Sequence, residues 1–119
     1  MASREVIDVD GDLEVHDAES IMGASSRGQT EEVRQLIAAG VNVTARDRWQ
    51  STALHRSAVG GHVETASLLL EAGAGADAVN VDKRTPLHLA AANGHPAVAS
   101  TLINGGANVD ARDGRDPKP

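Results

Sequence analysis

A period of 33 residues constrains this chain of 119 residues more than any other feature. Thr52, Leu54 and His55 recur as Thr85, Leu87 and His88, and Gly61-His62 recurs as Gly94-His95. Leu69 returns as Leu102, Gly73-Ala74 as Gly106-Ala107, and Asp77-Ala78 as Asp110-Ala111. Between residues 47–79 and 80–112, 13 of 33 positions are identical, which makes these windows copies of one unit. The register reaches backwards more weakly: Gly28, Glu31, Leu36, Ala39, Gly40 and Ala45 match Gly61, Glu64, Leu69, Ala72, Gly73 and Ala78. Residues 14–46 therefore read as a degenerate first copy. A unit this short cannot bury its own apolar face, so its stability must come from stacking on its neighbours.

Each copy reads as two short helices and a loop. Thr85 is placed to cap a helix whose first residue is Pro86, where a missing N–H costs nothing. Leu87, His88, Leu89 and three alanines follow, and Asn93-Gly94 ends the helix, with Gly taking the left-handed position. A second helix near Pro96–Asn104 carries Val98, Leu102 and Ile103 at helical spacing and stops at Gly105-Gly106. The middle copy repeats the plan, with helices over Thr52–Val59 and near Val63–Glu71. In the first copy the second helix is expected near Thr30–Ala39, with Val33, Leu36 and Ile37 inward. Polar turns over Asp47–Ser51 and Asn80–Arg84 join the copies.

Composition excludes several alternatives. Cys is absent, which removes disulfides, thiolate metal sites and a Cys nucleophile together. The single aromatic, Trp49, leaves too little for a β-sandwich core or for base-stacking platforms. No apolar run approaches the ~20 residues of a membrane helix, and the acidic start lacks the apolar stretch of a secretory signal. A cytoplasmic or nuclear home is the default expectation. The net charge of -6 disfavours nucleic acid as the default partner. That charge is confined, however, to residues 1–19, with one base (Arg4) and seven acids, so the repeat stack is neutral. Composition shifts near residue 17; residues 1–13 read as a disordered acidic leader and residues 113–119 as a tail that starts an incomplete fourth copy.

The run Thr85-Pro86-Leu87-His88-Leu89-Ala90-Ala91, then Gly94-His95, Leu102-Ile103 and Gly106-Ala107-Asn108-Val109-Asp110-Ala111, resembles the ankyrin repeat nearly position for position. The middle copy, from Thr52-Ala53-Leu54-His55 through Gly61-His62 to Gly73-Ala74, is similar with three departures before its first Gly. The resemblance implies an all-α, ankyrin-like solenoid of stacked helix-turn-helix repeats with projecting β-turn finger loops. It implies protein binding through finger tips and the inner helix face, with no catalysis and no cofactor. By matching family positions, Arg46, Arg48, Trp49, Ser51, Asp82, Arg84, Asn93 and Arg112 are the expected partner surface. Thr52, His55, Gly61, His62, Thr85, Pro86, His88, Gly94 and His95 are expected to hold the repeats together.

Several departures carry expectations of their own. The first copy has Glu19-Ser20-Ile21-Met22 in place of Thr-Pro-Leu-His, which suits a terminal cap with a polar outer side. Arg56 stands at the inward-leaning place of Leu89, so its charge needs a partner or a path to water. Gln50 and Lys83 replace the usual turn glycine, which predicts looser finger turns. With no polar cap at the other end, Val98, Leu102 and Leu89 are expected to be incompletely covered. Self-association of that C-terminal face is therefore a second class of reading, and a piece of a larger ankyrin-containing protein is a third.

Four histidines in register (His55, His62, His88, His95) are read as scaffold rather than as metal ligands or bases, because repetition at 33 is what a scaffold role predicts. Asp8, Asp10, Asp12 and Glu19 match the acidic positions of a calcium loop, but Leu13 replaces its turn glycine, so a solvated leader is the preferred reading. Val6-Ile7-Asp8-Val9-Asp10 resembles a SUMO-interacting motif, an aliphatic run that adds a strand to a sheet edge while the acids meet a basic rim. Trp49, flanked by Arg46 and Arg48, has the residue types most enriched in interface hot spots. The finger segments 46–51, 80–84 and 112–116 carry six bases against four acids, so a partner with an acidic surface is expected, and the acidic leader itself is a candidate competitor for them.

Overall fold

The computed structural model describes residues 18–110, and among them all regular structure is helical. The six helices are α1 (Ala18–Arg27), α2 (Thr30–Ala38), α3 (Ala53–Gly60), α4 (Val63–Glu71), α5 (Pro86–Ala92) and α6 (Pro96–Asn104). They form two rows. Helix α3 packs between α1 and α5, α4 packs between α2 and α6, and each pair within a copy is antiparallel-coupled by a tight Gly-containing turn. The leader and tail expectations for residues 1–13 and 113–119, the calcium-like and SUMO-like residues before Ala18, and Arg112 lie outside the described residues.

The first helices start where the sequence places a cap. The hydroxyl of Thr52 accepts from the His55 N–H, and the Thr52 N–H donates to His55 Nδ1. Thr85 and His88 repeat this reciprocal pair, with Pro86 opening the helix. An N–H donor at Nδ1 fixes the tautomer: His55 is neutral with its proton on Nε2, which donates to the Arg84 carbonyl at 2.9 Å. His55 thus ties its own copy to the next one. His62 and His95 tie backwards, each donating from Nε2 to the carbonyl of a residue near the end of the preceding first helix, Ser26 and Val59 respectively, at 3.0 Å.

The core is aliphatic and continuous along the stack: Ile21, Val33, Leu36, Leu54, Leu69, Val98 and Leu102 with Ala24, Ala58, Ala66 and Ala90 between them. The alanines let the helices approach, and the larger side chains fill the space between rows. The expected incomplete cover of Val98 and Leu102 is corrected here. Both are fully buried, because they point back against α4 and their own α5 rather than toward a following copy. Leu89 is half-buried. The side chains left open at that end are Ala91, Ile103 and Val109; of their counterparts in the middle copy Ala58 is buried and Leu70 and Ala76 are half-buried.

The finger turns also differ from expectation. Gln50 and Lys83 both sit at φ 63, the left-handed region that glycine usually occupies. Neither turn is loose. Asp47 Oδ1 accepts from the N–H groups of Trp49 and Ser51, and Asn80 Oδ1 accepts from those of Asp82 and Arg84. The side-chain acceptor at the turn's first position closes the loop and offsets the conformational cost of the missing glycine.

Candidate functional site

Three of the exposed large apolar side chains gather at one cleft. Trp49 is 50% exposed, Val59 44% and Val81 61%. Together with half-buried Leu89 they line one cleft with Ser26, Ser51, Arg56, Asn80 and Asp82. An adjoining cleft shares Trp49 and Arg56 and is completed by Glu19, Met22, Arg46, Asp47 and Arg48. The two form a groove floored by the first-row helices α1, α3 and α5 and walled by the finger turns.

Trp49 is fixed from the backbone outward. Its N–H donates to Asp47 Oδ1 at 2.8 Å, and its carbonyl accepts from the Val81 N–H of the next finger at 2.9 Å. Arg46 adds a second link between the fingers, donating to the Gln50 carbonyl at 3.0 Å and the Val79 carbonyl at 2.6 Å. Two guanidinium groups stand near the indole, Arg48 4.5 Å and Arg56 5.8 Å from the ring centroid, both within cation–π range.

The charge of Arg56 finds its partner in Asp47, which it meets in a hydrogen-bonded ion pair. Burial pushes the Asp47 carboxyl up. The Arg56 hydrogen bond, the N–H groups of Ser51 and Trp49 and the positive field of Arg56 together outweigh burial and hold it below its usual value. One carboxylate therefore closes the finger turn, anchors Arg56 and orients the Trp49 backbone. His55, beneath this finger, is held below its usual value by burial, against the opposing pull of the Arg84 carbonyl.

The expected partner residues divide by place. Arg46, Arg48, Trp49, Ser51 and Asp82 line the groove. Arg84 is half-buried at the base of its finger, where its carbonyl receives His55. Asn93 is exposed at the end of α5 but donates from its side chain to the Leu89 carbonyl and lies outside the groove lining. The residues that sequence reasoning passed over are Val59, Val81, Leu89 and Arg56 as groove members. A signal existed: Arg56 and Val59, spaced i,i+3, stand on the side of α3 opposite Leu54 and Ala58.

Gly61 and His95 show how closely the copies approach. A Cβ on Gly61 would lie 2.7 Å from His95 Nδ1, and one on Gly28 would lie 2.4 Å from His62 Nδ1. The four repeat histidines are engaged with backbone and capping groups, and among the described residues no three His, Asp or Glu side chains gather as a metal site. No helix among these residues is long and apolar enough to cross a membrane.

No curated protein matches the chain. A family model does: ankyrin repeats (3 copies), matched over residues 21–113. With two rows of helices, fingers between successive pairs and three matched copies spanning most of its length, the chain belongs to the ankyrin-repeat family.

Proposed function

We propose that this protein is a non-enzymatic adaptor or regulatory module that binds a protein partner through the groove around Trp49. Ankyrin repeats are in general protein–protein interaction modules. What supports the finer reading is one observation: Trp49, Val59 and Val81 stand exposed on the same face, with Arg48 and Arg56 beside the indole. Burying a Trp of this kind supplies a large apolar area, and Arg48, with Arg46 in the same cleft, favours an acidic partner surface. The fingers are cross-linked by hydrogen bonds before any partner arrives, so little ordering entropy is lost on docking. Arg46, Arg48, Trp49, Ser51 and Asp82, joined by Val59, Val81, Leu89 and Arg56, are the proposed contact set, acting in the cytoplasm or the nucleus.

A pull-down comparing wild type with Trp49→Ala tests this reading. Proteins retained by wild type and lost with the variant, at equal folded content, would support it. An identical set captured by both would overturn it.

A second reading, self-association, draws on the other end of the stack. Leu87, Ala91, Ile103 and Val109 line an apolar cleft there. Sedimentation of wild type and Ile103→Glu separates the two readings: a mass that rises with concentration in wild type alone favours assembly.

A further inference from the structure

The groove has an occupant within reach on its own chain. We propose that the acidic segment before α1 folds back into the groove, seating Ile7 and Val9 on Val59 and Leu89 and directing Asp8 and Asp10 to Arg48 and Arg56. This inference rests on the groove being a docking surface, and names the segment that a partner must displace.

Four observations carry it. First, the exposed apolar side chains Trp49, Val59 and Val81 face one cleft, a surface that gains from cover. Second, charge is complementary. In the cleft at Trp49 three cations, Arg46, Arg48 and Arg56, stand with two carboxylates, Glu19 and Asp47, the latter paired with Arg56, while Asp82 lines the adjoining cleft. The seventeen residues before α1 contain six acids and one base, and they hold the charge that the rest of the chain lacks.

Third, the tether is at the groove's edge: α1 starts at Ala18, and Glu19 and Met22 of its first turns line the cleft beside Trp49. The nine residue steps from Val9 to Ala18 span up to about 30 Å when extended. Two interhelix steps of about 8–10 Å separate α1 from α5, so Leu89 is reachable. Fourth, three of the segment's aliphatic residues are grouped as Val6-Ile7-Asp8-Val9-Asp10, with Leu13 and Val15 nearer α1. In an extended stretch Ile7 and Val9 share one side and Asp8 and Asp10 the other, matching an apolar floor and a basic rim.

The tether makes modest contacts sufficient. A short linker gives an effective concentration on the order of 1 mM. A contact with a Kd of about 100 μM between separate molecules would then fill the groove about nine-tenths of the time.

The test uses the full chain, which has no cysteine of its own. A nitroxide placed on Gly11→Cys should attenuate the Trp49 indole N–H and the Val59 and Val81 amide signals by more than half at low salt. The attenuation should be lost in 0.5 M NaCl and in a chain that also carries Asp8→Asn, Asp10→Asn and Asp12→Asn. Signals that stay at full intensity, attenuation confined to α1, or attenuation indifferent to the three substitutions would each overturn the proposal. So would attenuation that appears when spin-labelled chain is mixed with isotope-labelled, nitroxide-free chain, because the occupant would then be a second copy. The partner reading is judged separately. Capture lost in Trp49→Ala with a silent spin label leaves the groove as a partner site and removes only its internal occupant.

Discussion

Gly61 and Gly94 hold the same place in successive copies and the same left-handed backbone, φ 74 and φ 75. Only one has a neighbour. A Cβ on Gly61 would lie 2.7 Å from His95 Nδ1, whereas a Cβ on Gly94 meets nothing within 4 Å among the described residues. Alanine at either site incurs the same left-handed cost, about 1–2 kcal/mol. At Gly61 the imidazole must also move, breaking the 3.0 Å bond from His95 Nε2 to the Val59 carbonyl, a net loss of about 0.5–1.5 kcal/mol for a bond of this kind. Gly61→Ala should therefore destabilise by about 1 kcal/mol more than Gly94→Ala. For a domain of this size that is roughly 4–8 °C of additional loss in melting temperature. The assay is thermal and urea unfolding followed by circular dichroism and by Trp49 emission, which report respectively on all helices and on the first finger. In a His95→Ala background the excess should vanish. Equal losses for the two alanines, or an excess that survives without His95, would refute the claim that these histidines stitch one copy to the next.

Three further outcomes are expected. Ser25 is fully buried with its hydroxyl unpartnered among the described residues, and alanine stands at the matching positions 58 and 91; Ser25→Ala should stabilise by about 1 kcal/mol, and an unchanged or lower melting temperature would contradict this. Acid should weaken the fold in two steps. The unfolded His55 takes up a proton below its usual 6.5 while the folded one, held lower by burial, does not, so stability falls as pH drops through that range. Asp47, also held low when folded, adds a second loss below 3.8. Urea midpoints from pH 7.5 to 3 check both, and in His55→Gln the first step should shrink. Leu102→Ala opens a cavity in a fully buried site and should cost about 2–5 kcal/mol, whereas Ile103→Ala, 44% exposed, should cost under about 1.5 kcal/mol; similar losses in urea unfolding would contradict the packing directions described for α6.

What was legible in the sequence was local or periodic. Thr52 with His55 and Thr85 with His88 are capping pairs three residues apart, and the ends at Gly61 and Gly94 are set by backbone conformation, so both could be read from the chain itself. The direction of packing was less visible. Helical spacing put Val98 and Leu102 on one face of α6, but only the stack decides that this face looks back to α4 and not onward. The turns at Gln50 and Lys83 are less legible, because the acceptors Asp47 and Asn80 compensate for the missing glycine and only the folded turn shows them in place. The groove was half legible. Arg48 and Trp49 are adjacent in sequence, whereas Val59, Val81 and Leu89 join them only because successive fingers and first-row helices are brought side by side.

The claim that a partner docks in that groove is tested most directly by site-specific photo-crosslinking in cell extract. A photoreactive side chain at Val59, inside the groove, should yield a discrete cross-linked protein that is absent when the same group is placed at Glu64 or Ser100, exposed positions of the second-row helices. Cross-links of equal yield from all three positions, or from Glu64 and Ser100 alone, would contradict the account.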